Sequence, residues 1–405
     1  MTVEANLSRG WRLVADPSEP EVALAAQELE SGLGPPGDDG VEIVLSHGGG
    51  TGDGYRRRAA PGGIELHGES PRGLLFGAYA TLEEFGGGWP WPGEHCPAGG
   101  EARLEEGVES GPALPGRCLV LGERCLVEDA ESWVVWAARN RLNSLFVHTS
   151  LDPQPVGAAP EAMWREHRER TVALTRQRGM TIEHGGHLLP ELLSGGELRR
   201  LAEGGELGAA ARRAVEEHVL GHPEADVLHL WGADLPAEVG GGAEASQAAL
   251  QAANTLAAVA EEVRPGAQVA FLAYHDTEEV PRGVRPRDNV SLVFAPRERC
   301  YEHVLADPDC RENARYRELL KAQIEHFSAV AAPPRVFEYW FDAILFSGGV
   351  PDLSETIAED LAFYREAGVH TVQMLITGHG SPPSPHPNPP AFARHAWAAQ
   401  APSLP

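Results

Sequence analysis

Between Arg335 and Phe346 the chain reads Arg-Val-Phe-Glu-Tyr-Trp-Phe-Asp-Ala-Ile-Leu-Phe, a β-branched and aromatic run carrying two carboxylates. As an extended strand it puts Glu338, Trp340 and Asp342 on one face and Phe337, Tyr339 and Phe341 on the other. An unpaired carboxylate is costly to bury, so acids on such a strand either pair with arginine or open onto a ligand cleft. Paired carboxylates beside a flat indole are the groups that cleave and hold a glycoside. Glu338 is the leading candidate, being mid-strand with no local reason to carry charge.

Other chemistry-bearing residues fall where extended segments end. These are His148, His184 with His187, Trp231 with Asp234, Tyr274 with His275, Arg297, and His379. Each has a plain structural reading beside the functional one. A lone strand-end histidine is usually a hydrogen-bonded structural residue, and that reading has the larger share for His184, His187 and His379. Asp234 suits a turn or helix cap before Pro236 as well as it suits catalysis. Trp231 and Trp340 suit a core as well as sugar stacking, and Arg297 suits a pair with one of the acids. His184 and His187 have an i, i+3 spacing suited to a metal site on a helix, but Gly185-Gly186 argues for a loop. A metal-dependent hydrolase using His184, His187 and His275 is therefore kept as a third reading, and no metal or other cofactor is expected. No P-loop, GxGxxG after a strand, or Gly-x-Ser-x-Gly occurs.

The elements that must position these groups repeat as strand and helix. Cys118 to Leu121, Ser144 to His148, Met180 to His184, Val227 to Trp231, Val269 to His275, Val290 to Phe294, Val336 to Phe341 and Thr371 to Ile376 read as eight strands alternating with helical stretches. That predicts a (β/α)8 TIM barrel over residues 113–405, with its site at the carboxyl ends of the strands. Residues 1–112 read as a small α/β domain with a mixed sheet. Its hairpin turns at Pro61-Gly62-Gly63, and its second helix starts at Ser70-Pro71, serine as cap and proline at the first position.

Charge narrows the partners. Against 33 basic residues stand 59 acidic ones, a formal charge of −26, without any Lys/Arg-rich block, which disfavours nucleic acid and anionic membrane. No stretch approaches the ~20 apolar residues of a membrane helix. The start, Met1-Thr2-Val3-Glu4, is acidic without an apolar run, so a cytoplasmic protein is expected. Five cysteines, odd in number and lacking CxxC spacing, read as reduced thiols and not as a disulfide framework or zinc knuckle.

The run Ser70-Pro71-Arg72-Gly73-Leu74-Leu75-Phe76-Gly77-Ala78-Tyr79, with Leu82-Glu83-Glu84-Phe85 and Trp89, resembles the signature of the small domain preceding the barrel in family 20 hexosaminidases, α-glucuronidases and proteins with domain of unknown function 4838. Ala273-Tyr274, Asn289-Val290, Tyr339, Asp360, Gly368-Val369 and Gly378 resemble the last group in particular, some of whose members are classed as family 163 endo-β-N-acetylglucosaminidases. On the fourth strand Gly232-Ala233-Asp234 keeps only the aspartate of the family's motif, and family 20 enzymes carry Asp-Glu there.

The first reading is a glycoside hydrolase, retaining in preference to inverting, with Asp234 and Glu338, the acids at the ends of the fourth and seventh strands, as the carboxylate pair. If the substrate carries an N-acetyl group, Asp234 or Asp342 would orient the amide. Tyr274, His275 and Trp340, with Trp231, His148, Arg297 and His184, would hold a carbohydrate or glycosylated small molecule. The alternative is a cytosolic enzyme or non-hydrolytic sugar-binding protein acting on a small glycosylated metabolite.

Overall fold

The computed structural model describes residues 2–6, 10–15, 20–38, 40–60, 62–150, 158–233 and 241–397. Eight parallel strands close a barrel in sequence order: Gly116–Leu121, Ser144–Ser150, Thr181–Gly186, Val227–Leu230, Gln268–Ala273, Val290–Phe294, Arg335–Asp342 and Thr371–Thr377, with the eighth paired to the first and the first to the second. Almost every residue of these strands is buried, as expected when side chains fill the lumen on one face and pack under helices on the other. The main helices around it are Ala130–Arg139, Glu161–Gln177, Ala209–Gly221, Ala243–Val263, Arg311–Phe327 and Ser354–Glu366, with Asn388–Trp397 closing the ring. A 3-10 turn, His275–Thr277, takes the place of a helix between the fifth and sixth strands.

The lumen is layered. At its base Glu183 accepts hydrogen bonds from His229 Nε2 (2.8 Å), Gln373 Nε2 (2.7 Å) and Ser144 Oγ (3.2 Å), with Arg335 3.6 Å away. Above it lies an apolar layer that includes Val120, Phe146, Ala270, Val293, Phe337 and Leu375. The barrel is thus a packed core with its open end at the top.

The small unit has a five-stranded mixed sheet, ordered Trp11–Val14, Val41–His47, Gly63–Gly68, Tyr55–Ala60, Gly107–Ser110, under helices Pro20–Leu33 and Pro71–Glu84. The Gly-, Glu- and Pro-rich stretch between the second helix and the barrel supplies two strands, Gly107–Ser110 in this sheet and Glu101–Glu105 paired with Thr2–Asn6. Ser70 caps the second helix, its Oγ accepting from Gly73 N at 3.1 Å. Gly73 is required there, since a Cβ would stand 2.4 Å from the Gly54 carbonyl oxygen. Arg72 explains the rest of the motif. Its Nε donates to Asp53 Oδ1 (2.6 Å), while Asp53 Oδ2 accepts from Arg117 Nη2 (2.6 Å) and Asn143 Nδ2 (2.9 Å) of the barrel floor. The signature docks one unit on the other, at the end of the barrel opposite its mouth.

Candidate active site at the barrel mouth

Which face of each strand looks into the lumen decides which residues reach the mouth. Counting by twos from Glu183 and its partners, the inward set is Ser144, Phe146 and His148 on the second strand, and His229 and Trp231 on the fourth. Tyr274 stands at the end of the fifth and Arg297 past the end of the sixth. On the seventh strand Arg335, Phe337 and Tyr339 point in. There the register shifts between Glu338 and Phe341, one extra residue against the eighth strand. This β-bulge reverses the parity. Phe341 turns outward against Trp91 and His386, and Asp342 turns inward to accept from Thr377 Oγ1 at 2.9 Å.

The mouth is therefore a continuous set of aromatic, imidazole and charged groups. His148 and His187 rings lie 6.0 Å apart and both contact Trp231, at 6.1 and 5.4 Å. Tyr274 lies 6.3 Å from His187 and stacks with Tyr339 at 6.5 Å. Arg297 sits over Tyr339 (5.8 Å) and faces Asp342 Oδ2 (3.6 Å) and Glu298 Oε1 (3.4 Å). Glu298 in turn meets His275 Nδ1 at 3.3 Å, and His275 is held in the left-handed region at φ 49°. Burial works to lower the Arg297 pKa, but Tyr274, Asp342, Tyr339 and Glu298 outweigh it and raise it, so the guanidinium stays a fixed cation. Beside this ring a cavity of about 580 Å³ opens, its wall apolar with Leu189, Leu198, Ala249 and Phe271 and its rim formed by His187, Trp231, Tyr274 and His275.

Of the residues singled out in the sequence, the fold brings His148, Trp231, Tyr274, His275, Arg297 and Asp342 together. Asp234 lies outside the described residues. Glu338, Trp340 and His184 are placed elsewhere, and each correction has the same physical cause, an outward parity. Glu338 is fully buried in the layer between barrel and helices, where its Oε1 accepts from Arg299 Nε at 3.2 Å and from the Tyr364 hydroxyl. Burial pushes its pKa up, with Arg299 opposing and Asp360 adding. Trp340, also without exposure, donates from Nε1 to Asp360 Oδ2 at 3.3 Å and packs on Phe392.

His184 turns toward helix Ala209–Gly221, stacked at 4.0 Å on His222 with His218 beyond. Glu161 holds this cluster, Oε1 to His222 Nε2 (2.6 Å) and Oε2 to His184 Nε2 (3.1 Å). The three imidazoles are close enough to share a metal ion, but His222 has both nitrogens engaged, by Glu161 and by the His218 carbonyl (2.9 Å). As it stands the cluster is a buried hydrogen-bonded clamp, and His187 and His275 have no part in it. Sequence reasoning gives no site role to Glu298 or Tyr339, both of which reach the mouth; the signal for Glu298 is its position next to Arg297 beyond a strand end.

In fold the chain is similar to β-N-acetylhexosaminidase from Bacteroides fragilis NCTC 9343, at 13% identity and TM-score 0.63 over 100% of this chain and 90% of that one. It is similar also to a GH20 exo-β-N-acetylglucosaminidase from Vibrio harveyi, at 13% identity and TM-score 0.59 over 98% and 71%. A third likeness is to a GH138 enzyme targeting pectin rhamnogalacturonan II, at 12% identity and TM-score 0.59 over 96% of this chain but only 51% of that one. No curated protein matches the sequence. Residues 237–381, which hold Tyr274, Arg297, Glu298 and Asp342, match the family profile described as "Domain of unknown function (DUF4838)", the family whose resemblance the sequence carries.

Proposed function

We propose that the barrel mouth binds a glycoside and that the chain acts as a glycosidase, with Asp342 and Glu298 as the carboxylates at the reacting bond. The observation that carries this reading is the convergence of two acids on one guanidinium, Arg297, inside a ring of Trp231, Tyr274, Tyr339 and three histidines. Asp342, whose Oδ1 accepts from Thr377 Oγ1 and from Ile344 N (both 2.9 Å), is held in place and suits stabilising the positive charge of an oxocarbenium-like transition state. Glu298, partly exposed and paired with His275, is the group placed to move a proton. Tyr274, half-buried at the rim, offers a flat face to a sugar ring, and the apolar cavity beside it suits the leaving group. N-acetylhexosamine is the first sugar to try, because two of the fold's likenesses are named for acting on it.

A second reading, a sugar-binding protein without hydrolysis, is favoured by one observation: Glu338, the acid that the sequence favours, is absent from the mouth. A panel of aryl glycosides including the β-N-acetylglucosaminide separates the two. Turnover by the wild-type chain should fall about 10²–10⁴-fold in Asp342→Asn and Glu298→Gln, the range of one proton-transfer or charge-stabilising group. Glu338→Gln should keep the turnover of its folded fraction. Retained turnover in both mouth variants would end the assignment. Sugar binding without turnover, lost in Asp342→Asn, would establish the second reading.

A further inference from the structure

The loop between the sixth strand and helix Arg311–Phe327 carries Cys300, His303 and Cys310, a Cys-x2-His-x6-Cys spacing. We infer that these three side chains form a site for a zinc-class divalent ion, with two thiolates, one imidazole nitrogen and a fourth position open to solvent. Their ligand atoms all lie within 4.8 Å of one another, and Cys300 Sγ stands 3.2 Å from His303 Nδ1. Both sulfurs are free thiols. Two soft sulfurs and an imidazole select Zn²⁺ among the common divalent ions, and three protein ligands with one open position is a known zinc arrangement.

The backbone is in place before any ion arrives. Asn313 Oδ1 accepts from Cys300 N (3.0 Å), and its Nδ2 donates to the carbonyls of Cys300, His303 and Val304, each at 3.1 Å. Arg317 Nη1 donates to the carbonyls of Leu305 (2.6 Å) and Asp307 (2.7 Å), and Asp360 Oδ1 accepts from Leu305 N (2.6 Å). Side chains from two helices therefore shape a segment with no regular structure of its own. Such pre-organisation lowers the ordering entropy that metal binding must otherwise overcome. Cys310 also occupies the N-cap of helix Arg311–Phe327, where its side chain makes no capping hydrogen bond. His303 is exposed and both thiols half-buried, so an ion can enter and a water can complete the tetrahedron. Binding releases the two thiol protons and changes no oxidation state.

The same loop begins with Arg297 and Glu298, so an ion here would fix the entry to the mouth from its far end. The inference itself stands apart from the glycoside reading. Its test is titration of the reduced full-length chain with Co²⁺, followed by Zn²⁺ content after dialysis. One ion per chain with a thiolate-to-cobalt absorption in the near-ultraviolet is expected, displaced by Zn²⁺. Cys300→Ser and Cys310→Ser should lose that absorption, and affinity should fall by more than about 100-fold, since altering an outer-shell partner alone costs about 10–100-fold. His303→Ala, at an exposed position, keeps the test open if a cysteine variant fails to fold; it should weaken binding and leave folding intact. Cys96→Ser, elsewhere on the surface, should bind as wild type. Cobalt bound without thiolate absorption would move the ion to the His184 cluster and overturn the assignment. No stoichiometric ion, or a Cys300–Cys310 disulfide in freshly purified chain, would also overturn it.

Discussion

Replacing Arg299 by methionine should lower stability by more than about 3–5 kcal/mol, the range for a buried charge stripped of its partner, because here one cation serves two buried acids. Arg299 has almost no exposed surface, and Glu338 and Asp360 have none. Its Nε meets Glu338 Oε1 at 3.2 Å, its Nη2 meets Asp360 Oδ2, and its guanidinium lies over the Tyr301 ring at 4.3 Å. The acids are satisfied by further donors: Tyr364 on Glu338, and Trp340 Nε1 and Leu305 N on Asp360. Without the guanidinium two carboxylates face one dry space. Glu338→Gln keeps shape and removes one charge, so its loss should be smaller, about 1–3 kcal/mol. Adding Glu338→Gln and Asp360→Asn to Arg299→Met should restore part of the loss, as coupled neighbours do. Urea unfolding followed by circular dichroism gives all three values. An Arg299→Met chain as stable as wild type would refute this account of why Glu338 is there.

The network also shows why the most chemical-looking residue of the sequence is structural. Period-two alternation is legible on the seventh strand, but alternation does not say which of its two sets faces the lumen. There the aromatic set Phe337 and Tyr339 takes the lumen, and the acid and indole go under the helices, where Arg299 and Asp360 come from loop and helix distant in sequence. Asp342 reaches the mouth only through the bulge at Tyr339 and Trp340, which no residue there announces. His184 is subject to the same ambiguity, since its neighbour Glu183 points in. By contrast the barrel's eight strands, the serine cap and the strand-end residues Trp231, Tyr274 and Arg297 are legible, being set by local pattern and by the rule that sites gather at one end. The Cys-x2-His-x6-Cys spacing is also present in the sequence, but counting cysteines alone hides it.

Acid should loosen the barrel from its base, and Glu183 is the group to watch. Burial alone would raise its pKa, but Arg335, the hydrogen bond from His229 and the Ser144 hydroxyl hold it down to about 2 from an ordinary 4.5. A carboxylate depressed in the folded state contributes stability that is fully present above the unfolded value and is lost as pH falls. The window is therefore pH 4.5 down to about 2, and the amount, at about 1.4 kcal/mol per unit, is on the order of 3 kcal/mol. Glu161, also held low, by His184 and His222, acts in the same direction, so the wild-type curve alone does not isolate Glu183. The difference between wild type and Glu183→Gln does. The variant should be less stable at pH 7, where Arg335 and His229 lose their anion, and the gap should close as pH drops through the window. Denaturant unfolding at pH 7, 5, 4 and 3 measures it, and parallel curves would refute the assignment. The effect should reach the mouth, because Phe146 stacks on His229 at 3.9 Å and supports Trp231 at 5.8 Å. A polar base layer whose charges no longer match removes the packing that holds the indole at the rim.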